Sequence, residues 1–288
     1  MIGESAPQNS DLTTFTLKVE GQPLPDTYRI SSIDISREFG RIASASIVLL
    51  DGDSSKQTFE VSSEEHLVPG KSIEIFGGYS SDENLMFKGT IVTQNIKMRK
   101  PGESYLYVEC RDAAYRMTLA RRSRYFKDVS YSEMFEEIAA GYPEVNIETK
   151  PTTEKHPEKV QFRISDWDFL VAQAENAGLH CLTLDGKIKI FKPDEIPEPA
   201  LNLSYGVNVF DLDLEMDSRL QFSEVKASSW DASQQQLLDA DIDDVTTPSQ
   251  GNIPATELAQ THGDLIFELK HSGRLSQQEL DGWVEAQM

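Results

Sequence analysis

The side chains that most often hold metals or act as nucleophiles are sparse in this sequence and poorly spaced for chemistry. No two of the five histidines stand three or four residues apart, and there is neither an H-E-x-x-H nor a C-x-x-C motif. His180 and Cys181 are adjacent, but neighbours along a strand point to opposite faces. We therefore predict neither a zinc site nor a Cys-His nucleophile. We expect Cys110 and Cys181 to be buried, reduced thiols because both lie in apolar, strand-like contexts.

Two acidic stretches are candidates for binding a hard cation. Asp51-Gly52-Asp53 is similar to the start of a calcium loop, but Lys56 and Ser62 occupy the positions where such a loop has glycine and glutamate. The second stretch brings four aspartates close together, namely Asp239, Asp241, Asp243 and Asp244. We expect a hairpin turn in the first stretch and an exposed loop, 239–251, in the second.

Other patterns typical of enzymes are missing from the sequence. It has no G-x-S-x-G elbow and no phosphate-binding glycine loop, and no pair of carboxylates stands out as it would for glycoside hydrolysis. We therefore expect no catalytic residue, no cofactor and no metal, and we predict that the protein is not an enzyme.

The one concentration of positive charge is Arg121, Arg122 and Arg124, with Lys127 nearby. The whole chain carries 27 Lys and Arg against 48 Asp and Glu, which gives a net charge of −21. A field of that sign repels phosphate backbones and anionic membrane surfaces, so we expect neither nucleic acid nor membrane as a partner. We interpret the cluster as a turn that pairs with the chain's own acidic surface or with a neighbouring subunit. Arg121, Arg122 and Arg124 are therefore the candidate subunit contacts.

The elements that must position these residues begin with a run of strands. Phe15, Leu17 and Val19 alternate with polar residues, and comparable runs follow up to residues 104–110, joined by short polar turns. About six antiparallel strands indicate a barrel or a sandwich, and we predict a barrel-like domain at residues 12–112.

The pattern then changes to helices and a hairpin. Ser130 and Glu133 form a capping box before a helical run, and a second helix begins at Ser165. Asp185-Gly186 is a strong two-residue hairpin turn. We predict an α/β insertion at residues 113–199.

Beyond Pro199 the β pattern returns. Residues 207–216 and 219–229 alternate between apolar and polar side chains, and a capping box at 276–279 opens a last helix. We predict a second antiparallel barrel-like domain at residues 200–288, and we expect it to be incomplete. The predicted fold class is therefore β-rich α+β, with two barrel-like domains and a small insertion.

Four segments together carry a resemblance to a known family. They are residues 35–53 (ISREFGRIASASIVLLDGD), residues 78–91 (GY followed by FKGTI), residues 108–112 (VECRD) running into the arginine cluster, and residues 165–186 (SDWDFL followed by DG). In this order they resemble the N-terminal part of valine–glycine repeat (VgrG) spike proteins, of phage late-control D baseplate hub proteins, and of spike proteins of extracellular contractile injection particles. The resemblance covers roughly residues 15–216.

The resemblance implies a structural role without catalysis. It implies a homotrimer whose two barrels per chain form a ring of pseudo-sixfold symmetry, joining a sixfold inner tube to a threefold spike. The implied partners are the inner tube protein, other baseplate proteins, the spike tip and effector cargo. No Gly- or Val-rich needle sequence is present, so we expect the spike to be a separate polypeptide or to follow in a longer chain.

Two other classes of function stay open at this point. A carbohydrate- or receptor-binding β-sandwich of a tail fibre could use Trp167, Trp230 and Trp283, although the first and last lie in helical runs. A cell-wall hydrolase could use the many carboxylates. Because residues 1–11 contain no apolar run and no stretch of about 18 apolar residues exists, we expect synthesis in the cytoplasm without a signal peptide and delivery as part of a particle.

Overall fold

A computed structural model defines the fold, and its two compact units are each described separately. Unit 1 comprises Met1–Val171 with His180–Ile190, and unit 2 comprises Ala172–Leu179 with Phe191–Met288. The structure describes residues 12–53, 56–80, 82–100, 103–192, 202–207, 209, 211–219, 221–231, 234–243, 252–263, 265–271 and 275–287.

Strands dominate the described residues. They are β1 (Thr13–Val19), β2 (Gln22–Pro23), β3 (Ile30–Ser36), β4 (Ser44–Leu50), β5 (Ser72–Tyr79), β6 (Asp82–Lys100), β7 (Glu103–Arg111), β8 (Arg121–Val129), β9 (Asn146–Thr149), β10 (His156–Ser165), β11 (His180–Leu184), β12 (Lys187–Phe191), β13 (Glu224–Asp231), β14 (Gln236–Ile242) and β15 (Ile266–His271). The helices are α1 (Glu60–Ser63), α2 (Tyr131–Ala139), α3 (Asp166–Asn176), α4 (Ala255–Gln260) and α5 (Gln277–Gln287), with a 3-10 turn at Ala113–Thr118.

Unit 1 is built on a seven-stranded antiparallel sheet in the order β2-β1-β5-β6-β7-β4-β3. The alternation seen in the sequence puts one side of each strand into a single core, where Ile47, Leu106 and Val108 are completely buried. The β-rich prediction is confirmed. Closure into a barrel is not, because the strand order is linear with β2 and β3 at its two ends.

The segment after β4 turns back on itself, as predicted, since Asp53 and Thr58 form an antiparallel bridge with two backbone hydrogen bonds. The chain continues from Asp51 into the short helix α1, and the nearly buried Asp51 carboxylate accepts hydrogen bonds from the N–H groups of Gly52, Val61 and Ser62 at 2.8, 3.0 and 2.9 Å. Asp51 is therefore a structural cap, because its oxygens satisfy backbone donors that would otherwise stay unpaired at a helix start.

The rest of unit 1 contains the predicted capping box and hairpin. Ser130 and Glu133 bond reciprocally at the start of α2. Asp185 and Gly186, with φ of 54° and 85°, join β11 to β12, and a three-stranded sheet forms in the order β11-β12-β9. Strands β9 and β10 were not predicted, and β8 replaces the predicted basic turn.

Unit 2 contains a three-stranded sheet in the order β14-β13-β15, covered by α5 through the buried Leu280 and Val284. The capping box predicted before α5 is present, since Ser276 and Glu279 bond each other's backbone N–H groups. The prediction that all strands of this domain pair antiparallel was wrong, because β13 and β15 run parallel. The long connection through α4 allows the parallel pairing.

Two sequence predictions in unit 2 need correction. Residues 239–242 belong to β14 and not to an exposed loop. Residues 211–216 belong to no strand, although they alternate as a strand does. The domain limits 12–112, 113–199 and 200–288 stay a prediction, and the limit at 199–200 falls outside the described residues.

Candidate functional site

The arginine cluster lies on strand β8, which pairs antiparallel with β10 to form a two-stranded sheet, here called the basic ribbon. Tyr125 is opposite Val160 and Lys127 is opposite Glu158. The buried Phe126 shows why the segment is not a turn: its ring stacks on Phe169 with ring centroids 5.8 Å apart, which anchors one side of β8.

The inner side of the basic ribbon converges on the buried carboxylate of Asp166, the first residue of α3. Arg124 Nη2 donates to its Oδ2 at 3.0 Å, and Arg122 Nε forms an ion pair with the same oxygen at 3.3 Å. The Tyr142 hydroxyl donates to Oδ2 at 2.7 Å, and Gln161 Nε2 donates to Oδ1 at 2.7 Å. One carboxylate therefore ties together β8, β10, α3 and the segment after α2.

The Asp166 carboxylate is surrounded by two cationic and two neutral polar side chains. The Asp166 side chain has no exposed surface, whereas those of Arg122 and Arg124 are 48% and 23% exposed. Burial, and then the hydrogen bond to Asp166, raise the pKa of Tyr142, so its phenol remains a proton donor. Arg122 and Arg124 thus find a carboxylate within their own chain, and their part in a subunit contact stays a prediction.

The outer side of the basic ribbon is an exposed face on which apolar side chains lie beside the cations Arg121 and Lys127. It also holds one carboxylate, Glu158, which accepts a hydrogen bond from the Tyr125 hydroxyl at 3.0 Å. Tyr125, Val160 and Phe162 are 57%, 54% and 74% exposed. Arg121 and Lys127 are also exposed and share the Tyr125 side of β8 by alternation. The two strands together hold six cations (Arg121, Arg122, Arg124, Lys127, Lys159 and Arg163) and two carboxylates (Asp128 and Glu158), and six minus two gives a net charge of +4.

Sequence reasoning found the arginines but missed the apolar face and Asp166. The alternation of Val160, Phe162 and Ile164 with polar residues was a usable strand signal. Asp166 gave no signal, because its burial depends on Tyr142 and Gln161, which come from other elements.

The other candidate residues serve structure. Cys110 and Cys181 are buried thiols outside any disulfide, as predicted, and burial raises the pKa of Cys110 to about 12. His180 stacks on Phe39 with ring centroids 5.0 Å apart, away from its neighbour Cys181.

The remaining candidate features are those that would bind a metal, a membrane or a sugar. Across the described ranges, no group of three or more His, Cys, Asp or Glu side chains is placed to hold a metal ion, and Asp244 lies outside those ranges. None of the helices described above is long and apolar enough to cross a membrane. Trp167 is buried and Trp283 packs against the core of unit 2, while Trp230 is 48% exposed.

The model of a family described as the Alg8 N-terminal domain matches residues 9–288. No curated protein sequence matches the chain.

Three solved structures illustrate the shared fold. A tail protein from Neisseria meningitidis MC58 is 18% identical, with a TM-score of 0.62 over 93% of this chain and 73% of that one. The 43 kDa tail protein of prophage MuSo2 from Shewanella oneidensis is 11% identical, with a TM-score of 0.64 over 93% and 76%. A Francisella PdpA-VgrG complex is 14% identical, with a TM-score of 0.52 over 90% of this chain and 40% of that one. The resemblance to VgrG-like hub proteins that the sequence indicated is confirmed at the level of the fold.

Proposed function

The chain belongs to the Alg8 N-terminal domain family, and from its fold we propose that it is a structural hub protein at the base of the spike of a contractile, phage-tail-like particle. The observation that carries the proposal is the agreement in fold with a tail protein and a prophage tail protein, each over 93% of the chain. Fold alone does not determine function, so the proposal also draws on what the surfaces offer.

Those surfaces suit assembly better than catalysis. The polar side chains that meet in the described chain surround the carboxylate of Asp166 and hold two strands and a helix together. The same contacts leave this carboxylate enclosed by its own chain. Exposed apolar side chains on the basic ribbon are typical of a protein contact. The proposal therefore assigns the protein no catalytic step.

The proposed assembly is a homotrimer that joins a sixfold inner tube to a threefold spike. A sixfold ring and a threefold needle do not match directly, so an adaptor must present six similar surfaces on one side and three on the other. Two barrel-like hub domains per chain, three times repeated, would meet that need. The proposed partners are the inner tube protein, other baseplate proteins, the spike tip and effector cargo, within a particle assembled in the cytoplasm and acting outside the cell.

Analytical ultracentrifugation with and without the inner tube protein from the same gene cluster tests the proposal. We expect a species of three times 32.3 kDa that shifts to a larger complex when the tube protein is added. Because assembly follows mass action, the measurement needs a series of concentrations. The tube protein alone is the control.

The contribution of positive charge to trimer assembly is best tested at Arg121 and Lys127. Reversing Arg122 or Arg124 would also remove contacts to the buried Asp166, so loss of assembly there could reflect misfolding. Arg121→Glu with Lys127→Glu should weaken the trimer more at low salt than at high salt. A monomer or dimer at every concentration, with no binding to the tube protein, would refute the hub role.

A further inference from the structure

Residues 211–216 have the pattern of a strand but no partner strand. The sequence D-L-D-L-E-M alternates three carboxylates with three apolar side chains, and Leu212, Leu214 and Met216 are 51%, 86% and 64% exposed. The segment belongs to no sheet and pairs with no part of the chain that the structure describes. It is called the acidic segment below.

Such a segment is suited to addition to a sheet. Strict alternation is the pattern of a half-buried strand, which puts its apolar side on a surface and its polar side in water. Unpaired backbone groups at a sheet edge can accept an added strand, with main-chain hydrogen bonds giving affinity and alternate side chains giving specificity. The acidic segment needs an edge with an apolar face and positive charge.

The edges of the described sheets differ sharply in charge. The edge strands β2, β11 and β15 carry no net charge, β3 and β9 carry −1, and β14 carries −2 through Asp239 and Asp241. Both strands of the basic ribbon are edges, and together they carry +4, or +3 when the Asp166 carboxylate that faces Arg122 and Arg124 is counted with them. Of these edges, only the ribbon attracts a segment with three carboxylates.

The basic ribbon also supplies the apolar face. Tyr125 and Val160 lie opposite each other, with Phe162 next along β10, and all three are more than half exposed. An added strand places Leu212 and Leu214 beside these side chains on the same face, where neighbouring apolar side chains share buried surface.

We infer that the acidic segment of one copy docks as an added strand on the basic ribbon of a neighbouring copy. The acidic segment and the basic ribbon are both exposed in the single chain. A second copy supplies a basic ribbon for the acidic segment of the first. The contact is head-to-tail, so repeating it around a closed rotation produces a ring. The inference rests on the proposed trimer and names the surfaces that build it.

Site-specific photo-crosslinking tests this contact. A photoreactive phenylalanine analogue replaces Phe162 in the full chain, and the matched control carries it at Met98, which is 68% exposed on β6. Mixing heavy-isotope and ordinary copies separates bonds between copies from bonds within one copy. We expect dimers and trimers linked from position 162 to residues 211–216 of another copy, and none of these links from position 98.

A charge exchange gives a second readout. Changing Asp211, Asp213 and Glu215 to Lys should raise the trimer dissociation constant about tenfold, because several surface charge pairs become repulsive. Adding Arg121→Glu and Lys127→Glu should restore part of the affinity, which a general loss of folding would not allow.

The failures of the two proposals are distinguishable. A trimer in the ultracentrifuge without crosslinks to residues 211–216 would overturn this contact and leave the hub role standing. Crosslinks within single copies only would show that the segment folds back on its own ribbon, and would also overturn the inference. A monomer at every concentration would overturn both.

Discussion

Neutralising Asp166 should destabilise the protein far more than neutralising an exposed carboxylate. Asp166→Asn keeps the shape of the side chain but removes the charge that Arg122 and Arg124 face at 3.3 and 3.0 Å. An amide also turns one acceptor into a donor, so at least one of the surrounding donors loses its partner.

The size of the loss in unfolding free energy follows from how deeply the ion pair is buried. Removing one partner of a fully buried ion pair costs about 3–5 kcal/mol. The arginines are 48% and 23% exposed, so water partly replaces the lost carboxylate, and about 2–3 kcal/mol is a better expectation. At about 2–4 °C per kcal/mol, the melting temperature should fall by roughly 4–12 °C.

Urea unfolding followed by tryptophan fluorescence measures this loss, since Trp167 is buried directly beside Asp166 in the sequence. The matched control is Glu148→Gln, which also removes a carboxylate that faces two cations, Lys187 at 3.0 Å and Lys189 at 3.9 Å, but at a 48% exposed position. We expect the control to be much less affected, because solvent screens that contact. Equal losses in the two variants would refute the view that Asp166 organises the basic ribbon.

Three further predictions concern pH, thiols and metals. The N–H of Ser130, and then Lys155, lower the pKa of Glu133, so its stabilising effect is present above its unfolded pKa of about 4.3 and is lost as the pH falls through its folded pKa. The melting temperatures of the parent and Glu133→Gln should therefore converge in acid, and a gap that widens there would contradict the assignment. Cys110 and Cys181 should stay unreactive to a thiol reagent until the protein unfolds, as their burial requires; stoichiometric labelling of the native protein would contradict this. Dialysis against a chelator should leave the melting temperature unchanged, and a large drop would reveal a metal site.

The elements that sequence reasoning predicted correctly are those with local signals. Leu106 and Val108 lie in the core because half-buried strands alternate with period two, and that period is visible without knowing the partner strand. The capping box at Ser130 and the turn at Asp185-Gly186 are likewise determined within four residues.

The errors arise where distant residues decide the outcome. Arginines at the start of β8 gave the appearance of a polar turn, and only pairing with β10, more than 25 residues further along the chain, makes the segment a strand. Residues 211–216 show the reverse case, because the strand pattern is present and the partner is missing from the described chain. Asp166 depends on distant residues most of all, since its four polar partners come from three separate stretches of sequence.

Electron cryomicroscopy of contractile particles purified from cells that express a tagged form of the chain tests the hub proposal most directly. The proposal predicts three copies of the fold around the particle axis, between the end of the sixfold inner tube and the threefold spike. Particles that are complete without the tagged chain, or that carry it at the sheath or tail fibres in another symmetry, would contradict it.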